Sequence, residues 1–66
     1  MVVADFTVPE LTFLRNNCNF VGNELKVFEL RSQGISLEEI AERLDMSVEG
    51  IKKVSRKVNN KISRVL

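Results

Sequence analysis

Six basic side chains lie in the last twenty residues of this 66-residue sequence, and their types and spacing suit contacts with phosphate. They are Lys52, Lys53, Arg56, Lys57, Lys61 and Arg64, with Glu49 as the one acidic residue among them. Ammonium and guanidinium groups neutralise phosphates, and a guanidinium can also donate two hydrogen bonds to guanine O6 and N7. The segment is therefore a candidate surface for binding a nucleic acid.

The rest of the chain carries the opposite charge. Residues 1–46 hold four basic side chains against eight acidic ones, so the formal net charge of +1 hides two segments of opposite sign. Such a division gives a small domain one positive side. A basic helix face is often no more than solvated surface, so charge alone leaves both interpretations open.

An apolar stripe predicts that the basic residues lie on a helix. The stripe consists of Ile51, Val54, Val58, Ile62 and Val65. These positions fall within about 80° of one another at 100° per residue. We expect a last helix over 48–64, capped by Ser47, with the six basic residues on the side away from the stripe.

A shorter helix is predicted just before it, over 37–44. Ser36 and Glu39 have the spacing of a capping box, and Asp45-Met46 supplies a turn. The expected inner face of this helix has the i, i+3, i+4, i+7 spacing and consists of Leu37, Ile40, Ala41 and Leu44. The small Ala41 allows the basic helix to approach closely.

Two earlier helices complete the prediction. Thr7 and Glu10 form a second capping-box pattern before a helix over 8–15, which Asn16 and Asn17 are expected to interrupt. Asn23 is expected to cap a helix over 24–33 that ends at Gly34. Leu25 and Phe28 are its predicted buried residues, with Val27 and Leu30 as further candidates.

Every strong periodicity is helical, so the predicted fold class is all-α: a small helix-turn-helix bundle of about four helices. We expect an N-terminal helix and apolar link over 1–22 and a helix-turn-helix domain over 23–66, forming a single globular unit. A chain of this length builds one core. The predicted DNA-binding residues are Ser36, Ser47, Glu49, Gly50, Lys52, Lys53, Arg56 and Lys57. The last helix is expected to read the major groove, while amides near Ser36 contact a phosphate.

From 24 to 62 the chain resembles the tetra-helical helix-turn-helix group shared by LuxR-type regulators and region four of bacterial sigma factors. The matching residues are Glu24-Leu25, Val27, Gln33-Gly34-Ile35-Ser36, Glu39-Ile40-Ala41-Glu42-Arg43-Leu44, Met46-Ser47, Ile51-Lys52 and Lys61-Ile62. Glu38-Glu39 looks more like the sigma-factor version. Gly50 and Ser55 depart from the family, which usually has threonine and often leucine there. The resemblance implies a transcription-related DNA binder from a bacterium or phage.

Two functions stay open at the level of sequence. The first is a stand-alone regulator that binds double-stranded DNA, alone or as a homodimer. The second is a protein-interaction module of the same shape that binds RNA polymerase or another regulator. Phe6, Phe13, Phe20 and Val21 exceed what a small core hides, and an exposed remainder would mark such an interface. Phe20 and Val21 are expected in the core in preference to Phe6.

An enzyme is not expected, because the sequence has no histidine and no glycine-rich phosphate loop. No catalytic residue, cofactor or metal site is predicted. Cys18 is read as a small apolar side chain, and a lone cysteine fits a reducing cytoplasm. No apolar run approaches the roughly 20 residues that span a bilayer, and no signal peptide is recognisable. We therefore expect a cytoplasmic protein without a membrane partner.

Overall fold

The computed structural model describes residues 5–66, which form four α-helices and no strand. They are α1 (Val8–Asn17), α2 (Asn23–Ser32), α3 (Leu37–Arg43) and α4 (Val48–Val65). The predicted all-α bundle of about four helices is confirmed. Over these described residues, no helix has both the length and the apolar character needed to cross a membrane.

The capping box at Thr7 and Glu10 begins α1 as predicted. The Thr7 N–H donates to the Glu10 carboxylate at 2.8 Å, and the Glu10 N–H donates to the Thr7 hydroxyl at 3.4 Å. The helix does not stop at Arg15, because Asn16 and Asn17 continue it. The Asn17 side chain donates to a carbonyl one turn back at 2.7 Å, which satisfies its amide inside the helix.

The start of α2 differs from the predicted Asn23 cap. Asn23 is the first helical residue, preceded by Gly22 with a φ of 54°. No side chain caps α2, and the Glu24 carboxylate accepts the N–H of Val21, which precedes the helix, at 3.1 Å. Glycine adopts positive φ at little cost, so the chain can turn sharply into the helix here. Asn23 instead donates to the Met46 sulfur at 3.2 Å.

The end of α2 follows the prediction at Gly34, which adopts a φ of 81°. The Gly34 N–H donates to the Arg31 carbonyl at 3.0 Å, and the Ile35 N–H donates to the Leu30 carbonyl at 3.2 Å. These two bonds form a Schellman motif, in which one left-handed residue satisfies the last carbonyls of a helix.

α3 begins at Ser36, whose hydroxyl accepts the Glu39 N–H at 3.2 Å. Only half of the predicted capping box forms. The Glu39 carboxylate pairs with Arg43 at 3.4 Å, so it does not return a hydrogen bond to Ser36. The helix ends at Arg43, with Leu44 as its cap rather than its last residue.

The turn from α3 to α4 lies at Asp45 and Met46, as predicted. Asp45 has a φ of 54°, a left-handed conformation that aspartate tolerates better than most side chains. The Met46 N–H donates to the Ala41 carbonyl at 2.9 Å. Ser47 then caps α4, because its hydroxyl accepts the Gly50 N–H at 3.1 Å.

One core joins all four helices, and the predicted stripe of α4 lies in it. The most deeply buried side chains are Leu14, Val27, Phe28, Ile40, Ile51, Val58 and Ile62. Val54 and Val65 are partly buried against them. Ala41 is buried where α3 packs against α4.

Leu25 was predicted to be buried, but its side chain is exposed. The inner face of α2 is formed by Glu24, Val27 and Phe28, which have the i, i+3, i+4 spacing. Leu25 lies about 100° further round the helix than Glu24. The prediction for Leu25 was wrong because the charged Glu24, rather than an apolar residue, occupies the core-facing position of this turn.

The burial of the apolar residues before α2 differs in part from the prediction. Phe20 packs on the core as expected, with its ring centroid 4.7 Å from that of Phe28. Val21 is exposed, since it lies at the bend before α2 and turns its N–H toward Glu24. Phe6, which was less favoured for the core than Phe20 and Val21, is partly buried against the core.

Candidate nucleic-acid interface

The first half of α4 presents four cations to solvent. Lys52, Lys53, Arg56 and Lys57 are all exposed, and we call these four residues the basic surface. The rotation of α4 is fixed by the fully buried Ile51 at one end and Ile62 at the other. The four cations predicted to bind DNA are therefore brought together on one side of the domain, away from the core.

Glu49 lies at the N-terminal edge of the basic surface. Its side chain is 78% exposed, and its carboxylate is 3.7 Å from the Lys52 ammonium. Helical geometry places Glu49 opposite the apolar stripe. One negatively charged hydrogen-bond acceptor therefore borders the basic surface.

The two serines predicted to contact DNA both act as helix caps. Ser36 and Ser47 are exposed, and each hydroxyl oxygen accepts a backbone N–H three residues later. Each hydroxyl retains its hydrogen as a donor. Both serines can therefore donate to a phosphate without releasing the helix start.

Gly50 lies against the turn rather than in open space. A Cβ added there would approach the Ser47 hydroxyl oxygen to 3.2 Å and the Met46 methyl carbon to 3.4 Å. A larger side chain at this position would require the Ser47 hydroxyl to shift by a few tenths of an ångström. A role for Gly50 in close approach to DNA stays a prediction.

Lys61 was predicted to lie on the side away from the stripe, but it faces inward. Its ammonium donates to the Glu24 carboxylate and to the Asn19 carbonyl, both at 2.5 Å. At 100° per residue, Lys61 lies only about 60° from the centre of the apolar stripe. That angular position was the sequence signal for this contact, whereas the position of Glu24 on the inner face of α2 is apparent only in the structure.

The same contact determines the charge state of Glu24. Hydrogen bonds from the Lys61 ammonium, and secondarily from the Val21 N–H, hold the pKa of Glu24 below its ordinary value. Because Glu24 lies in the first turn of α2 and its carboxylate binds Lys61 in the last third of α4, it fixes these two helices against each other.

Acidic side chains lie on α3, where Glu38, Glu39 and Glu42 are exposed. Glu39 is paired with Arg43, while Glu38 and Glu42 face solvent. Across residues 5–66, no three or more histidine, cysteine, aspartate or glutamate side chains are grouped to hold a metal ion. Carboxylates repel anions, so this face of α3 is less favourable for a phosphate than the basic surface.

Cys18 is buried in the core, as its reading as a small apolar side chain predicts. Its thiol donates to the Lys61 carbonyl at 3.6 Å. Burial raises the pKa of the thiol. A raised pKa keeps the reactive thiolate scarce, so Cys18 contributes packing rather than chemistry.

No protein-family model, curated protein or solved structure matches this chain. A function for the chain is therefore inferred from its own residues. They supply an exposed cationic face on a long helix, a tight turn before that helix, and two serine-capped helix starts.

Proposed function

We propose that this chain is a transcription regulator that binds double-stranded DNA, with α4 entering the major groove. The observation that carries the proposal is the exposure of all four cations of the basic surface on the side of α4 away from the core. An α-helix is roughly 10–12 Å across with its side chains, and the major groove is about 12 Å wide. α3 braces α4 through the turn, the arrangement that helix-turn-helix proteins use.

The basic surface divides into a centre and two flanks. Arg56 lies nearest its centre, about 160° from the middle of the apolar stripe, and suits guanine O6 and N7. Lys53 is the second candidate for a base contact. Lys52 and Lys57 lie on opposite flanks and suit phosphates at the groove edges. Ser36 and Ser47 supply further hydroxyl donors to the backbone.

The resemblance to LuxR-type regulators and sigma-factor region four supports the same proposal, with transcription in a bacterium or phage as its setting. A single domain of this size covers few base pairs, so useful specificity requires a second copy or a partner protein. We therefore propose that the chain binds DNA as a homodimer or beside another regulator.

Titration of the protein with random-sequence duplex DNA at several salt concentrations tests the proposal. Each phosphate contacted contributes a slope of about −0.9 in log K against log salt. With three or four cations engaged, we expect a total slope of about −3 to −4. Fluorescence anisotropy of a labelled duplex measures it. A protein that binds no duplex at low salt would contradict the proposed function.

A second candidate function is contact with RNA polymerase or another regulator, and an apolar groove beside α1 favours it. The groove has a volume of about 220 Å³ and is lined by Phe6, Pro9, Glu10, Phe13, Leu14 and Leu66. Phe13 is 48% exposed although it is aromatic. This surface lies outside the basic surface, so both functions can coexist. Titration with purified RNA polymerase in the absence of DNA distinguishes this candidate from DNA binding alone.

A further inference from the structure

We propose that Glu49 is a specificity-determining residue that accepts a hydrogen bond from the N4 amino group of a cytosine in the major groove. The proposal rests on the DNA binding proposed above. It assigns to Glu49, the one acidic residue of 47–66, a role that lysine and arginine side chains cannot fill.

The position of Glu49 brings its carboxylate to the same groove as the basic surface. Glu49 lies in the first turn of α4, and Lys52 and Arg56 follow it on the outer side. Its side chain is 78% exposed, so it is held by no packing in the free protein. The N-terminal residues of a recognition helix are the ones that reach base edges in helix-turn-helix complexes.

The electrostatics make Glu49 a discriminating group. A carboxylate among cations is repelled by phosphates, and Lys52 offsets that repulsion only in part. The 3.7 Å separation between the two groups is longer than a hydrogen bond. The ion pair thus leaves the oxygen lone pairs of Glu49 available to a base.

The chemistry of the base edges favours cytosine. Cytosine presents only the N4 donor in the major groove, whereas adenine presents the N7 acceptor beside its N6 donor. Guanine presents O6 and N7, and thymine presents O4, all of them acceptors. Against an acceptor a carboxylate loses its water and gains no hydrogen bond, so those bases are disfavoured.

The alternative role for Glu49 is purely structural, because an acidic residue in the first turn stabilises a helix N-terminus. That role affects the melting temperature and leaves base preference unchanged. The test therefore needs both measurements, and it needs a control in which a carboxylate is removed elsewhere. Glu42 serves as this control, since it is exposed on α3 and lies outside the basic surface.

The experiment is selection of bound duplexes from a random pool by the wild type and by Glu49→Ala, Glu49→Gln and Glu42→Gln. We expect the wild-type sites to hold one position where cytosine is preferred about tenfold. Glu49→Ala should lose that preference and bind unselected duplexes at least as tightly as the wild type. Glu49→Gln should change the preference to adenine, because an amide pairs with N6 and N7 together. Glu42→Gln should retain the wild-type preference.

The outcomes separate the two proposals. If the wild type selects duplexes and all variants select the same ones, Glu49 reads no base, although DNA binding stands. A melting temperature lowered in Glu49→Ala together with an unchanged preference likewise assigns Glu49 a structural role only. If the wild type binds no duplex, the proposed function itself is wrong.

Discussion

In the first half of α4, Lys53 and Lys57 extend into solvent, whereas in the second half Lys61 reaches inward to Glu24 and Asn19. All three are lysines on one helix, spaced four residues apart. Since an α-helix has 3.6 residues per turn, each step of four rotates the position by about 40°. Two such steps carry a lysine from the solvent-facing side of α4 to the edge of the core.

The comparison shows that residue type alone does not separate ligand-binding from structural cations. Lys61 lies beside the apolar stripe, where its methylene stem can pack while its ammonium reaches a carboxylate. Its partner Glu24 is largely buried, and so the pair is better shielded from water than a surface ion pair. In the described part of the chain, no cation in the first half of α4 forms an ion pair with an acidic residue of α2, although the charge of Lys57 also helps to lower the pKa of Glu24. The four residues of the basic surface remain exposed.

The largest expected effect is a loss of DNA affinity when the cations in the first half of α4 are removed. Replacement of all four residues of the basic surface by glutamine should lower affinity for duplex DNA by at least about a hundredfold at low salt. The slope of log K against log salt should flatten by about three units, because several phosphate contacts are lost. Anisotropy titrations measure both quantities.

The matched control for this variant removes cations elsewhere. Lys26→Gln combined with Arg64→Gln takes one exposed charge from α2 and one from the last turn of α4. We expect at most a few-fold loss of affinity from it. A loss as large per charge as in the basic surface would show that total charge, rather than position on α4, governs binding.

The next effect concerns stability and lies in the second half. Lys61→Met keeps most of the side-chain volume but removes the ammonium from Glu24, which leaves a buried carboxylate with less compensation. We expect a loss of about 1–3 kcal/mol in the free energy of unfolding. For a domain of this size each kcal/mol lowers the melting temperature by roughly 4–8 °C. Thermal melts followed by circular dichroism measure the change.

Lys53→Met is the control on the same helix. Its ammonium is exposed, so we expect a change of less than about 0.5 kcal/mol. If Lys53→Met and Lys61→Met lowered the free energy of unfolding equally, the proposed difference between the two halves of α4 would be wrong. Combining Lys61→Met with Glu24→Gln should cost less than the sum of the two single changes if the residues interact directly.

The smallest expected effect is a dependence of stability on pH that comes from Glu24. Its pKa is lowered in the folded protein by the Lys61 hydrogen bond, so the unfolded chain binds its proton more readily. The stabilisation is therefore complete above the ordinary glutamate pKa, about 4.3, and is lost as pH falls through the folded value. Melting temperatures across the acid range should fall less steeply in Glu24→Gln than in the wild type. Glu42→Gln should keep the wild-type slope.

Local signals predicted the helix boundaries well where a side chain caps its own helix. Thr7, Ser36 and Ser47 all cap as expected, because a hydroxyl three residues before a free amide needs no help from distant elements. The prediction failed at Asn23, because the chain bends at Gly22 and α2 begins without a side-chain cap. Glu24 instead accepts the N–H of Val21 and pairs with Lys61, which is distant in sequence.

The candidate site was predictable in its first half and not in its second. Helical periodicity alone places the basic surface in solvent. Around the helix axis, each of its four residues lies more than about 90° from the centre of the apolar stripe. Lys61 lies at an intermediate angle, where a lysine can extend either way. Its direction depends on which group the opposing helix presents, and periodicity carries no information about that.

The sequence by itself determined the all-α class, the turn at Asp45-Met46 and the cationic outer side of α4, because capping and helical period act over a few residues. Only the tertiary structure decided that Glu24 displaces Leu25 from the inner face of α2 and that Lys61 turns inward to meet it. The physical reason is that burial of a charge is favourable only with a partner in place. That partner is brought into contact by the packing of α2 against α4.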